Sequence, residues 1–290
     1  MKDSLWFKII FDFHKTRTLK RLSVSMLIVG AYAFLCDYIE SEVFHVDFKP
    51  PSYIFSMLGI VLGLLLVFRT NTAYDRWWEG RKLLSKLGYN MKNLSIKINS
   101  YLSPEDQENR KFFFTMMVNH AFSLKDSLRD KIQFEDLINL TPEFIENLKT
   151  KYHVPNQFLI LINNKISELY RKNVITDVQF LELSKHIDEA SEVVSSCERI
   201  HTSPIPFSYS IHLKKFLFFF ILILPFGFIH DLGYWCILIV MLVFYAMAGL
   251  EVIGEEIEDP FGQDENDLPF DSVCKSIKKA LAEILNIQPK

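Results

Sequence analysis

Cysteine is scarce in this sequence, and what there is follows no pattern. Cys36, Cys197, Cys236 and Cys274 are the four in 290 residues. None forms a CxxC pair or stands at zinc-ligand spacing from histidine, and two lie in apolar runs where a thiol packs as a small hydrophobe. A disulfide framework and a zinc site are therefore not indicated. His120, His153, His186, His201 and His212 make no HExxH motif, and no serine or cysteine sits in a nucleophile elbow or triad order, which argues against an enzyme. Glycine is also sparse at 10 residues, with no phosphate-cradling loop. Period-two alternation and internal repeats are missing, which removes the usual signs of strands. The net charge of −3 offers no basic surplus for a nucleic-acid partner. Lys and Arg precede the first apolar stretch, but no small-residue cleavage site follows it, so that stretch is expected to stay in the protein.

What the chain has in excess is apolar surface: 49% of residues are hydrophobic and 26 are Phe. A membrane-spanning helix needs about 20 mostly apolar residues, and four segments approach this: Leu22–Ile39, Pro51–Phe68, Phe216–Ile229 and Leu232–Ile253. Lys15, Arg17, Lys20 and Arg21 precede the first segment, Arg69, Arg76, Arg81 and Lys82 follow the second, and Lys214 and Lys215 precede the third. The two short outer connectors are almost free of Lys and Arg. By the positive-inside rule both termini and the long middle segment face the cytoplasm. The expected division is residues 1–68 with two spans, 69–215 as a cytoplasmic helical region, 216–253 with two more spans, and 254–290 as an acidic turn and a final helix. The location that follows is the inner (plasma) membrane.

The middle segment reads as helices. Leu84, Leu87, Met91, Leu94, Ile98 and Tyr101 recur at intervals of three and four, one face of a helix. Ser103-Pro104-Glu105 and Thr141-Pro142-Glu143 each place a hydroxyl before proline and an acid, the signature of a helix start. Asp177 opens another helix that ends near Ser203-Pro204.

The run IVLGLLLVFRTNTAYDRWWEGR, residues 60–81, changes from apolar to basic and aromatic at Arg69. At 3.6 residues per turn, Ile60, Leu64 and Phe68 stack on successive turns, drifting about 40° per step. Ser56, Gly59 and Gly63 make an adjacent stripe of small residues suited to close helix approach. Spacing alone leaves two readings open: the three apolar side chains pack in a bundle or face lipid, or they form a narrow ring in an oligomeric pore. Arg69, Arg76 and Arg81 suit headgroups or the cytoplasmic region, with Trp77 and Trp78 at the interface or between subunits. Beyond the last span, nine carboxylates lie between Glu251 and Asp271 with no Lys or Arg. Their spacing does not match an EF-hand, so a solvated acidic turn is the plain reading.

Three blocks, RTNTAYDRWWEGR at 69–81, CERI and PIPFSY within 197–209, and EDPFGQDENDLP at 258–269, occur in an order that resembles the bestrophin family over nearly the whole chain. The resemblance implies an all-α fold: four transmembrane helices and a cytoplasmic helical bundle, assembled as a homopentamer around an axial pore. It implies a channel for small monovalent ions in the lipid bilayer, chloride first among them, with Ile60, Leu64 and Phe68 as the neck and Val178 at a lower cytoplasmic constriction. Animal members carry an aromatic residue at the middle neck position, where this chain has Leu64. A leucine has no positive ring edge to favour anions, so cation conduction is also open. The same resemblance makes the acidic turn the counterpart of a calcium clasp, with Asp264 and Asp267 as metal ligands. Asn266 in place of an acid and a proline after Leu268 depart from that pattern and argue against calcium dependence. A secondary transporter is the alternative function, but the apolar cores of the spans lack the Lys, Arg, Glu and His on which proton- or sodium-coupled transport relies.

Overall fold

In a computed structural model of the protein, residues 17–40 and 50–288 are described; they contain ten α-helices, two short 3-10 turns and no strand. The helices are α1 (Arg17–Tyr38), α2 (Ser52–Tyr101), α3 (Gln107–Ser127), α4 (Pro142–Lys149), α5 (Val154–Arg171), α6 (Asp177–Thr202), α7 (Phe207–Ile223), α8 (Ile229–Leu232), α9 (Trp235–Glu258) and α10 (Phe270–Ile284). The chain divides into two compact units. One takes in the described residues up to Asp75 together with Ile205–Glu258; the other takes Arg76–Pro204 and the described residues from Asp259 onward.

The first unit is the apolar one. Helices α1, α2 and α9 are long and apolar enough to cross a membrane. Its core is built from Leu22, Ala33, Leu62, Leu66, Leu213, Phe220 and Val240, among others. Gly30 sets the approach of α1 to α9, since a Cβ there would lie 2.8 Å from the Met241 sulfur. Tyr32 donates to the Leu222 carbonyl at 2.7 Å, tying α1 to the end of α7.

The third expected span differs from expectation. Its helix begins at Phe207 and stops at Ile223, and by itself it falls short of the length the other three reach. A 3-10 turn at Pro225–Gly227 and the four-residue α8 follow. Pro225 has no N–H to continue the ladder and its ring crowds the preceding turn. Gly233, at φ +51°, then turns the chain toward α9, a conformation that costs glycine little. The fourth apolar helix accordingly starts at Trp235 rather than Leu232.

The second unit packs α3, α5, α6 and α10 around the lower half of α2. Leu84, Leu87, Met91, Leu94 and Ile98 are all at most 1% exposed, against Met117, Phe158, Ile162 and Leu281, while Tyr101 is partly buried at the edge. Asn90, buried in this apolar wall, donates to the His186 carbonyl at 2.8 Å and meets the His186 Nδ1 at 2.6 Å. A buried amide without such partners would cost about 1–3 kcal/mol.

Two of the three expected helix starts stand where the sequence puts them. Thr141 accepts from the Phe144 amide, and α6 opens at Asp177 behind a capping box in which Thr176 and Gln179 exchange side-chain-to-backbone bonds. The third is displaced: Ser103 does not cap, and α3 starts at Gln107 with Asp106 accepting from the Asn109 amide. The reason lies in the end of α2. The buried Arg110 guanidinium donates to the carbonyls of Asn99, Leu102 and Ser103 at 3.1–3.2 Å, so Ser103 belongs to the close of one helix rather than the start of the next. Thr176→Ala is expected to lower stability by about 1 kcal/mol, whereas Ser103→Ala should leave it nearly unchanged. Apparent Tm of the two variants in one detergent checks this difference.

Candidate functional site

The stripe on α2 is present as a single face. Ile60, Leu64 and Phe68 are 71%, 55% and 56% exposed, while Leu62 and Leu66, on the opposite side of the same turns, are 0% and 1% exposed. The three side chains therefore point away from their own protomer's core. An isolated soluble protein would not keep such a face in water, so lipid or other copies of the chain must cover it. The small-residue stripe is used unevenly. A Cβ at Gly59 would sit 3.5 Å from the Phe220 ring, but nothing lies within 4 Å of one at Gly63, and Ser56 is exposed. Within the protomer, only Gly59 serves close packing.

Of the basic residues that follow, Arg81 is exposed in the second unit, while Arg69 and Arg76 are engaged by the chain itself. Arg69 is 2% exposed and pairs with Glu258 at 2.8 Å. A second oxygen of Glu258 accepts the Ile205 amide at 2.7 Å, so one carboxylate at the end of α9 holds both α2 and the start of the segment leading into α7. Arg69 is thus an internal tie and faces neither headgroups nor passing ions. Arg76 is committed too: its guanidinium donates to the carbonyls of Ser203 and Ile200 at 2.5 and 2.6 Å, satisfying the open C-terminal end of α6. Trp77 donates its indole N–H to the Asn266 carbonyl at 2.9 Å; Trp78 is half exposed. Sequence reasoning missed these three pairings because each partner lies more than a hundred residues away and no local pattern announces it.

Val178 is 68% exposed on the first turn of α6, with Leu181 beside it at 66%. An apolar pair thus projects outward from the helix start.

The acidic turn folds on itself. Asp267 accepts the Asp264 amide, and its carboxylate covers Gly262, where a Cβ would lie 2.7 Å from one carboxylate oxygen. Burial, reinforced by the charges of Asp264 and Asp259, pushes the Asp267 carboxyl up to about 6, against the amide bond that lowers it. A cavity of about 560 Å³ beside the turn is lined by Lys125, Arg129, Asp136, Asp264, Asp267 and Asp271 among others. Lys125, 3% exposed, lies 3.1 Å from Asp126, 3.1 Å from Asp271 and 3.6 Å from Asp136. Arg129 meets the second Asp271 oxygen at 2.8 Å and donates to the Phe261 carbonyl. Although burial alone would raise the Asp271 carboxyl, Arg129 and Lys125 hold it below the usual range.

Among the described residues no three His, Cys, Asp or Glu side chains converge as a metal site. Lys125 and Arg129 line the cavity beside the turn, and of the two Asp267 oxygens one accepts the Asp264 amide while the other is buried without a hydrogen-bond partner. With two fixed cations there and no three donors converging among the described residues, the set does not fit a bound calcium.

Three helices long and apolar enough to cross a membrane, one of them carrying an outward apolar stripe, define a membrane protein. The chain belongs to the bacterial and fungal bestrophin family, whose model, described as Bacterial/Fungal Bestrophin protein, matches residues 1–283. The chain is 37% identical to voltage-dependent anion channel-forming protein alr2987 of Nostoc sp. over 80% of its own length and 76% of the relative's. It is 29% identical to voltage-dependent anion channel-forming protein YneE of Escherichia coli K12, covering 96% and 91% of the two chains. The crystal structure of a bacterial bestrophin homolog from Klebsiella pneumoniae superposes with a TM-score of 0.83 at 27% identity, over 91% of this chain and 98% of that one.

Arg69→Met should destabilise the protein by about 3 kcal/mol, because it removes the cation that faces the largely buried Glu258 carboxylate, and adding Glu258→Gln should recover part of the loss. Apparent Tm and detergent-solubilised yield of the single and double variants measure this. Calcium chelation should leave the apparent Tm of the purified protein unchanged; a rise on adding calcium that Asp264→Asn with Asp267→Asn abolishes would show that the turn takes the ion after all.

Proposed function

We propose that this chain is the subunit of a homopentameric ion channel for small monovalent ions, seated in the inner membrane by four spans with both termini cytoplasmic. Copies of α2 surround the axis, Ile60, Leu64 and Phe68 form an apolar neck, and Val178 from each copy narrows the passage at the cytoplasmic side. The observation that carries this reading is the outward stripe on α2: three large apolar side chains on successive turns, more than half exposed, on a helix whose other face is buried. An apolar constriction of this kind passes or blocks ions according to whether water fills it. The names of the relatives from Nostoc sp. and Escherichia coli support anions among the permeant species. The third span is α7 with the broken segment after it; Pro225 there is tolerated because neighbouring helices can satisfy the freed backbone groups. The number of copies follows the family resemblance.

Native mass measurement of the detergent-solubilised protein should give five chains, and planar bilayers should show unitary current steps. Leu64→Ala and Phe68→Ala each widen the neck and should raise unitary conductance, by roughly twofold or more if the neck limits flow. A monomer without current steps, or currents that neither variant alters, would sink the assignment.

A further inference from the structure

The neck itself holds no charge, so the sign of the ions that pass must be decided beside it. Helix α2 runs from Ser52 to Tyr101 without a break, so angular positions can be carried along it. At about 100° per residue, Leu64 stands about 40° and Phe68 about 80° from Ile60, and Asp75 stands at about 60°. Asp75 therefore continues the face that carries the neck, about 10 Å beyond Phe68 along the axis. It is exposed, and among the described residues its carboxylate makes no ion pair or hydrogen bond. The adjacent cation, Arg76, is engaged by the carbonyls of Ser203 and Ile200. The next cation on this face of the helix, the exposed Lys82, follows only after about two further turns, another 10 Å or so.

Resting on the pore reading above, we propose that Asp75 is a sign-selecting residue: its copies form a ring of carboxylates just inside the neck that concentrates monovalent cations and depletes anions there. Rings of acidic side chains select cations in other pores by the same physics. A single unit charge several ångström away in water changes the local concentration of an ion by roughly twofold. A ring of copies acts together, and the effect fades as salt screens it.

The test is the reversal potential of the purified full-length protein in planar bilayers under asymmetric KCl, with Asp75→Asn beside the natural chain. The expected result is a fall in the potassium-to-chloride permeability ratio of about threefold or more near 0.1 M salt, shrinking toward 1 M, where the screening length is about 3 Å. A purely structural role for Asp75 would not give that salt dependence. Asp75→Cys supplies the same test without refolding: an anionic thiosulfonate should restore cation preference and a cationic one should reverse it. The four native cysteines are buried or half-buried, so background labelling is low. Normal currents with an unchanged reversal potential in Asp75→Asn, or no response of Asp75→Cys to the sign of the reagent, would overturn the inference while leaving the channel intact. The absence of unitary currents from the natural chain would overturn the channel reading itself.

Discussion

Everything distinctive in this protein depends on α2 remaining one uninterrupted helix across a change of surroundings. Its 50 residues extend about 75 Å at 1.5 Å per residue, more than twice the hydrocarbon thickness of a bilayer. The first third is apolar and the rest is charged, yet no proline, glycine pair or bulge interrupts it. The ion pair from Arg69 to Glu258 stands at the changeover. A cation one residue past the apolar run would ordinarily seek water or headgroups, and here it is drawn inward by a carboxylate from the end of α9. That inward pull frees the opposite face of the same turns to stay apolar, which is the condition for a stripe of Ile60, Leu64 and Phe68 to be presented in register.

How far the fold was legible in the sequence depended on the range of the interactions that decide it. The buried face of α2 from Leu84 to Ile98, the Thr141 cap and the opening of α6 at Asp177 were readable because helical periodicity and capping act within a few residues. The exposure of the neck stripe agrees with the face drawn from spacing and from family resemblance, and its role in conduction remains the proposal made above. Legibility failed where a distant group competes. Ser103 has every local mark of a cap, but Arg110 reaches back to its carbonyl and assigns it to the preceding helix. The partners of Arg69 and Arg76 were not legible because nothing in their own neighbourhood reveals Glu258, or the bare carbonyls at the end of α6. The bounds of the third span differ for a related reason: hydropathy continues through Pro225, while the backbone ladder does not.

The acidic turn shows how similar composition can serve a different end. Carboxylates crowded at one place repel one another unless a cation lies among them, and a divalent ion is one means of holding them. Here Lys125 and Arg129, supplied by α3 and the residues just after it, stand beside Asp126, Asp136 and Asp271 and supply positive charge from the chain itself. A tethered ammonium does not dissociate, so the arrangement is independent of ion concentration, whereas a calcium-held turn would respond to it. The raised Asp267 carboxyl makes no ion pair with those cations: it is packed over Gly262 and bonded to a backbone amide, and burial outweighs the pull of Arg129.

The neutrality of the neck bears on how such a protein could choose its ions. Ile60, Leu64 and Phe68 can exclude water, and so can decide whether anything passes, but hydrocarbon presents no field that distinguishes an anion from a cation of similar size. Selection by sign requires charges or dipoles close enough to act before screening removes them, within about 10 Å at 0.1 M salt. Arg69 is nearest in sequence yet buried and paired, and Arg76 is occupied by the end of α6. Of the ionisable side chains that follow Phe68 on this face of α2, Asp75 is the first that is exposed. On the proposals made above, gate and selector are different parts of one helix, fixed relative to each other by its backbone hydrogen bonds, so that each can change in sequence without disturbing the other.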